Sequence, residues 1–302
     1  MIAVRFALYG VLGSLFGLSA FALYGLRAGE HRDAFALRPW LVGNAVTGLL
    51  LSAVALALLA ASMMGTPPFP VDREAVGMLL SGSATGTAWK ARMVALAAVV
   101  LAAAVAGGRD AWLVAVTVAA GVALSTLAWT GHGAADEGAS GWVHLVADML
   151  HLLASGVWVG ALLGLVLLVT RPADRVDAVH LRLTHRALHG FGLVGTIVVG
   201  AIVVTGVVNS SMLIGVDNVA SLGATLYGRL LVAKLMLFAA MLGLASLNRF
   251  RLTPTFERSV AAGDHRGALG ALRLSLAIET ACAVVILALV AWLGTLEPPA
   301  SM

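Results

Sequence analysis

Two histidines and an aspartate lie close together in a stretch that is otherwise apolar enough to cross a membrane. They are His144, Asp148 and His151, within residues 129–162. On an α-helix each residue advances by about 100°, so these three side chains and Trp158 fall on one face. Asp148 lies one turn from each histidine, whereas the histidines are roughly 10 Å apart along the axis. The spacing therefore favours successive sites, or one site at Asp148 and His151 that another helix completes.

The chemistry of these groups indicates a metal or proton path. Neutral imidazole and carboxylate are ligands suited to copper or zinc, and an aspartate bonded to a histidine can also orient it for a metal. An aspartate at the centre of a span costs roughly 2.5 kcal/mol or more, and such groups commonly mark ion paths. The alternative is structural, because polar residues of neighbouring spans also bond one another. Three titratable groups on one face, with His132 at the end of the preceding span, exceed what packing requires.

The composition indicates that this segment belongs to a multi-pass membrane protein. Of the 302 residues, 60% are hydrophobic and 11% are charged, and the mean hydropathy is +0.97. Soluble domains carry about 25% charged residues, and a spanning helix needs about 20 apolar ones. We expect an all-α polytopic fold with about eight transmembrane helices, forming a single transmembrane domain over residues 1–302. The predicted spans are 2–26, 41–62, 87–107, 111–130, 142–170, 191–213, 225–247 and 274–296, with a short interfacial helix over 72–83.

The basic residues predict the orientation of the chain. Most of the 19 Lys and Arg residues lie in the loops after the odd-numbered spans, and the positive-inside rule places those loops in the cytoplasm. Both termini are then periplasmic, and the histidine-rich face lies in the outer half of the membrane. The net charge of +4 reflects this topology, so no nucleic-acid partner is expected.

Sulfur ligands are few. Cys282 is the only cysteine, which excludes an intrachain disulfide and a thiolate cluster within one chain. Four methionines lie near the predicted outer boundary, where thioethers favour Cu(I) over Zn(II). Methionine is also ordinary apolar filler, which is the commoner role for any single one. We retain Met63 and Met64 as candidate soft ligands, and the other two are Met93 and Met212.

Further ionisable residues lie within or beside the later spans. Lys234 and Glu279 fall inside the seventh and eighth spans, so they can form a structural pair or a proton relay. The segment that carries His180, His185 and His189 among arginines favours a solvated interfacial helix. An exit site at His185 and His189, which share one helical face, is the alternative. The segment from Asn248 to Pro254 is predicted to end a helix at the inner interface.

These motifs resemble those of the copper resistance protein D family of bacterial inner-membrane proteins. The resemblance covers about residues 125–296, so that 111–302 is similar to the family and 1–110 fits only in hydropathy. It rests on Gly131-His132, Asp148 and His151 followed by Leu-Leu-Ala, Trp158-Val-Gly-Ala-Leu, the segment 227–254 with its Lys…Asn-Arg…Pro pattern, and Glu279 as the acidic residue of the last span.

The resemblance implies copper handling. Members are generally thought to move copper from periplasm to cytoplasm, sometimes beside a periplasmic CopC-like copper-binding protein. By motif position, His132, Asp148 and His151 are the residues that contact or relay copper, and His144 is added by geometry. We therefore expect an inner-membrane protein that is not an enzyme, whose partners are the lipid bilayer and copper in either oxidation state.

Two other functions stay open on the residues alone. Intramembrane histidines can ligate b-type haem in a redox protein that exchanges electrons with quinone. Such sites normally draw histidines from two facing spans, and only the fifth span is predicted to carry deep histidines, which disfavours haem. The other alternative is a copper buffer or sensor that binds without transporting.

Overall fold

Long apolar helices make up most of the chain. The computed structural model describes residues 1–27, 30, 36–105, 111–130, 138–171, 178–215, 222–261 and 266–299. Within those ranges, eight helices are long and apolar enough to cross a bilayer, and no strand is present. The predicted all-α, multi-pass membrane architecture is therefore confirmed.

Besides the eight spanning helices, the described residues form two short ones: α3 lies between α2 and α4 in the chain, and α9 lies between α8 and α10. A 3-10 turn over Thr126–Thr130 extends α5, and a π-turn over Asn248–Leu252 joins α8 to α9. The short interfacial helix predicted over 72–83 is present as α3, which the Asp72 side chain caps. The bounds are α1 Ile2–Gly25, α2 Leu37–Met64, α3 Arg73–Gly82, α4 Ala84–Ala104, α5 Ala111–Ser125, α6 Gly138–Val169, α7 Ala178–Ile214, α8 Leu226–Leu247, α9 Thr253–Ala261 and α10 Arg266–Leu293.

Two helices differ from their predicted course near the arginine-rich loops. The sixth span begins at Ala178 rather than at residue 191, because Leu181, Leu183 and Ala187 are buried at helical spacing between the polar residues. The segment that begins at Asn248 does not end its helix. It forms a π-turn instead, and Pro254 lies in the first turn of α9, where a missing N–H is tolerated.

The centre of the bundle is the pair α1 and α6. Helix α1 packs against α2, α5, α6, α7 and α10, and α6 packs against α1, α5, α7 and α10. Helices α2, α3 and α4 pack together on one side, and α8 packs mainly on α10. The face of α6 that carries the histidines is therefore held by helices on several sides.

Glycines bring α1 and α6 into backbone contact. A Cβ added to Gly17 would overlap the Gly156 carbonyl oxygen, and one added to Gly160 would overlap the Gly17 backbone. Gly164, one turn further along α6, leaves room for the Phe21 ring. Small residues spaced by four allow this close approach between membrane helices.

Arginine side chains mark the two ends of the bundle. Arg5 lies near the start of α1, at the end of the bundle that we call the upper end. It donates to the carbonyl oxygens of Thr130 and Gly294, so the start of α1 lies beside the end of α10. At the lower end, Arg38 donates to the Ala104 carbonyl at 3.0 Å, and Arg273 to that of Val169 at 2.5 Å. Arginines thus bond carbonyl groups at helix ends, where a positive charge is also favoured by the helix dipole.

A carboxylate between α1 and α2 also contacts this arginine-rich end. Glu30 pairs with Arg186 of α7. Although partial burial raises the pKa of Glu30, the hydrogen bonds from the Arg27 backbone and from Arg186 lower it below its ordinary value overall.

The close contact of α1 and α6 predicts that even one added methyl group destabilises the protein. Gly160→Ala should lower the free energy of unfolding by about 1–3 kcal/mol, since the extra methyl group meets backbone that cannot move aside. Gly10→Ala is the matched control on α1, because no atom lies near its added Cβ. Thermal unfolding in detergent measures both. Equal stability of the two variants would contradict the close contact.

Candidate metal site

The predicted polar face is one continuous surface of α6. His144, Asp148 and His151 all lie within this unbroken helix. His144 is 2% exposed, whereas Asp148 and His151 are half-buried. His151 lies about 20 Å along the axis from the upper end of α6, so it is near the middle of the membrane.

A threonine on α7 fixes the orientation of His151. The Nδ1 atom of His151 lies 2.9 Å from Oγ1 of Thr205. The Thr205 hydroxyl donates its single hydrogen to the Ala201 carbonyl at 2.6 Å, so Oγ1 accepts from His151. With the hydroxyl hydrogen directed at the Ala201 carbonyl, the matching tautomer of His151 has its proton on Nδ1 and a lone pair on Nε2. This matches the usual arrangement of a metal-binding imidazole, in which a neighbouring acceptor holds the other ring nitrogen.

A second residue of α7, Asn209, bonds the aspartate of α6. Asn209 Nδ2 donates to Asp148 Oδ1 at 3.4 Å. Asn209 lies one turn from Thr205 on α7, so two polar residues there face two polar residues of α6. Gly206 lies between Thr205 and Asn209 in sequence. Because it has no side chain, the His151 ring lies close to α7 there, and a Cβ added to Gly206 would lie 3.6 Å from Cε1 of His151.

A lysine from a third helix adds a positive charge to this neighbourhood. Asp148 interacts electrostatically with both His144 and Lys234, and His151 interacts with Lys234. Lys234 lies about 12 Å from the upper end of α8, since it is eight residues into that helix. The face thus combines an imidazole lone pair and a carboxylate with a nearby cation.

The structure does not bring the methionine candidates to this face. Met63 and Met64 are 66% and 50% exposed at the upper end of α2, and α1 lies between α2 and α6. Met93 and Met212 are partly buried on α4 and α7.

The predicted copper residues do not form a closed metal cage. Gly131 and His132 lie outside the described residues. Among the residues that are described, no three or more His, Cys, Asp or Glu side chains are grouped closely enough to hold a metal ion.

The suggested pair between Lys234 and Glu279 is wrong. Glu279 is 2% exposed and accepts a hydrogen bond from Asn248 Nδ2. Asn248 and Lys234 are fourteen residues apart on one helical path, or about 21 Å along the axis. The lysine therefore lies at the depth of Asp148, and the glutamate lies in the lower half.

Trp158 lies on the same face of α6 as the polar residues and is held there by packing. It is buried and packs edge-to-face against Phe191 of α7, with 5.9 Å between the ring centroids. Its Nε1 atom has no hydrogen-bond partner among the described residues. The ring thus closes the space below His151 mainly by packing.

The three histidines near the start of α7 differ from one another. The prediction of a solvated helix holds for His189, which is exposed, but not for His180, which is 4% exposed. His180 has Nε2 at 2.9 Å from the Leu168 carbonyl oxygen and Nδ1 at 3.0 Å from Arg171. Both ring nitrogens are engaged, which disfavours His180 as an axial haem ligand facing α6. The Nε2 atom of His185 lies 3.6 Å from a carboxylate oxygen of Glu257.

A cavity of about 350 Å³ lies at the upper end, next to α1, and none of the described histidines lines it. Its lining includes Arg5, Tyr9 and the buried Arg92, whose Nε donates to Thr126 Oγ1 at 2.8 Å. Two guanidinium groups repel metal cations, so this cavity does not suit copper.

The sequence contained a signal for the α7 partners that was not used. Thr205 and Asn209 lie at i,i+4 in the sixth span, which matches the helical spacing of Asp148 and His151 in the fifth. Two such polar pairs in consecutive, antiparallel spans indicate that the pairs face each other.

Comparison with known proteins identifies the family of the chain. The family model described as Copper resistance protein D-like, N-terminal domain matches residues 1–142, and the model described as Copper resistance protein D matches residues 185–293. The likeness thus extends to the N-terminal helices, beyond the motifs on which the resemblance rested. No solved structure matches the chain.

Two curated proteins are similar over nearly the whole chain. One is Copper resistance protein D of Pseudomonas syringae pv. tomato, 45% identical over 98% of this chain and 96% of its own length. The other is the inner membrane protein YebZ of Escherichia coli strain K12, 28% identical over 98% of both chains.

The bundle and its intramembrane polar face define a multi-pass membrane protein that carries imidazole and carboxylate groups within a spanning helix. The matches then settle the family, since the chain belongs to the copper resistance protein D family. A role in copper resistance follows from this membership.

The tautomer of His151 can be tested without metal. In protein labelled with ¹⁵N-histidine, the His151 resonances should show a protonated Nδ1 and a bare Nε2, because Thr205 accepts from Nδ1. Thr205→Val should remove this preference and weaken metal binding at Nε2 by about 10- to 100-fold. Thr117→Val is the control, since the Thr117 hydroxyl bonds only the Leu113 carbonyl of its own helix. A bare Nδ1 in the unaltered protein would disprove the assignment.

Proposed function

We propose that this protein binds copper on the polar face of α6 and moves it through the membrane, from the upper end toward the lower end. The observation that supports the proposal is the placement of His151. Its Nδ1 lies 2.9 Å from Thr205 Oγ1 of α7, and Asp148 lies one turn away on the same helix, where it accepts from Asn209. An imidazole fixed in this way, next to a carboxylate and near mid-membrane, is suited to a cation in transit rather than to helix packing alone.

The proposed path has two steps. The first is at the upper end, where His144 of α6 would act together with His132 of the preceding loop. The second is about 10 Å deeper, where His151 Nε2 and an oxygen of Asp148 contact the ion. Asp148 alternates between this ion and the amide of Asn209, which holds the carboxylate at 3.4 Å when copper is absent. Two separate, incomplete ligand sets favour release as well as binding, which transport requires.

The proposed orientation follows from charge. The lower end carries Arg38, Arg186 and Arg273, and the positive-inside rule assigns such an end to the cytoplasm. Copper would then be received from the periplasm of a bacterium with this protein in its inner membrane, where a CopC-like protein could supply it. We assign no enzymatic activity to the chain, so an ion gradient rather than nucleotide hydrolysis drives the movement.

Removal of His151 tests the copper site. Purified protein is incubated with Cu(I) or Cu(II), desalted and analysed for metal and for its optical spectrum. We expect His151→Ala to retain little copper and to abolish the copper-dependent phenotype, and Asp148→Asn to weaken both. His189→Ala, an exposed histidine of α7, is the control and should behave as the unaltered protein.

Three results would redirect the proposal. Equal copper in His151→Ala and the unaltered protein would move the site to other residues. A Soret band would indicate haem and a redox function. Copper binding without copper flux in liposomes would indicate a buffer or a sensor.

Lys234 is expected to oppose copper binding. A unit charge at an effective dielectric constant of about 20 contributes on the order of 1–2 kcal/mol at roughly 10 Å. Lys234→Met should therefore tighten copper binding by roughly tenfold, as judged by competition with a copper chelator. Lys90→Met, at an exposed position of α4, should leave the affinity unchanged. Weaker binding in Lys234→Met would show instead that the lysine positions Asp148.

A further inference from the structure

A second polar cluster lies in the lower half of the bundle, between α10 and the π-turn after α8. It consists of Asn248, Ser275 and Glu279, which we call the oxygen cluster. Their side chains are 8%, 6% and 2% exposed. Ser275 and Glu279 lie one turn apart on α10, and Asn248 is the first residue of the π-turn. The proposed copper path does not use any of these residues.

The cluster holds oxygen atoms whose hydrogen-bonding capacity is not used. Asn248 donates from Nδ2 to Glu279 Oε1, while its own Oδ1 is buried without a hydrogen-bond partner among the described residues. The buried hydroxyl oxygen of Ser275 likewise has no partner within the described part of the chain. Each such atom normally carries an uncompensated desolvation cost. Asn248 contacts Glu279 directly, and Ser275 lies one turn from Glu279 on the same helix, so two unpartnered buried oxygens adjoin one buried carboxyl group, and each calls for an explanation.

The charge balance points the same way. In the described ranges, no ion pair involves Glu279. Two arginines lie close to the cluster in sequence, Arg249 after Asn248 and Arg273 before Ser275, and both bond other groups. Arg249 donates to Gly192 and Thr196, and Arg273 donates to the Val169 carbonyl. Burial disfavours the ionised form of Glu279 unless a counter-charge lies beside it. An amide dipole from Asn248 does not supply one.

We propose that the oxygen cluster binds a sodium ion. Its donors are a carboxylate, an amide oxygen and a hydroxyl, which are the ligands of hard cations, whereas copper prefers imidazole and sulfur. One carboxylate and one monovalent ion give a neutral site, while divalent ions usually take several carboxylates or waters. The π-turn at Asn248 fits this function, because irregular turns inside membrane helices often line cation sites.

The sodium site would supply the coupling ion for copper movement, and this part of the inference rests on the proposed function. The two sites use different helices, with the copper face on α6 and α7 and the oxygen cluster on α8 and α10. Helix α10 packs directly on α6. Occupancy of the lower site can therefore bias the packing around the upper one without any shared ligand.

Sodium binding can be measured directly. Purified protein in detergent is titrated with radioactive sodium in a choline chloride background of constant ionic strength. We expect saturable binding by the unaltered protein and a loss of about tenfold or more in affinity for Glu279→Gln, with a smaller loss for Ser275→Ala. Thr280→Val is the control on the same helix, because the Thr280 hydroxyl already donates to the Leu276 carbonyl at 2.7 Å.

The outcomes separate the sodium site from the copper site. Helix content and elution volume of each variant show whether it is folded, and the graded effect of Ser275→Ala supports the proposal if Glu279→Gln does not fold. Absence of sodium binding by folded, unaltered protein would overturn it, as would sodium affinity unchanged in folded Glu279→Gln. Copper retention is measured on the same samples. Copper lost only in His151→Ala, without sodium binding anywhere, would remove the sodium site and leave the copper function.

Discussion

The backbone contact between α1 and α6 is the constraint on which the rest of the bundle depends. Gly17 and Gly160 meet without any side chain between them, so the two central helices lie as close as membrane helices can. Gly160 lies within the Trp158-Val-Gly-Ala-Leu motif, which gives that motif a packing role. Because one side of α6 is pressed against α1, its histidine-bearing face is directed at α7, and Lys234 of α8 acts on it electrostatically. The position of the polar face is thus set by a contact that contains no polar group.

Within this frame the polar residues are satisfied in pairs between helices. Thr205 and Asn209 of α7 contact His151 and Asp148 of α6, and Asn248 contacts Glu279 further down. Interhelical hydrogen bonds in membranes contribute only about 0.6–2 kcal/mol each, so they alone do not explain why such costly groups are retained. The upper pairs leave an imidazole nitrogen available, and the lower pair leaves oxygen atoms available. Both arrangements fix the geometry of the polar groups, and the two proposals above assign a cation to the atoms that stay available.

The sequence predicted the elements well and their partners poorly. Hydropathy identified every spanning helix, because about 20 apolar residues in a row have few other uses. Helical periodicity correctly placed His144, Asp148 and His151 on one face. It could not show which helix faces them, and the supposed Lys234–Glu279 pair ignored a difference in depth of about 21 Å. The extension of α7 was missed because arginines and histidines there alternate with buried leucines, so that average hydropathy resembles that of a loop.

Under the proposed function, the charges around the polar face of α6 would limit how tightly copper is held there. Lys234 acts on both Asp148 and His151, so an arriving cation gains one carboxylate but meets one ammonium group. A site with this balance is close to neutral before the ion arrives and positive afterwards, which limits how tightly the ion is held.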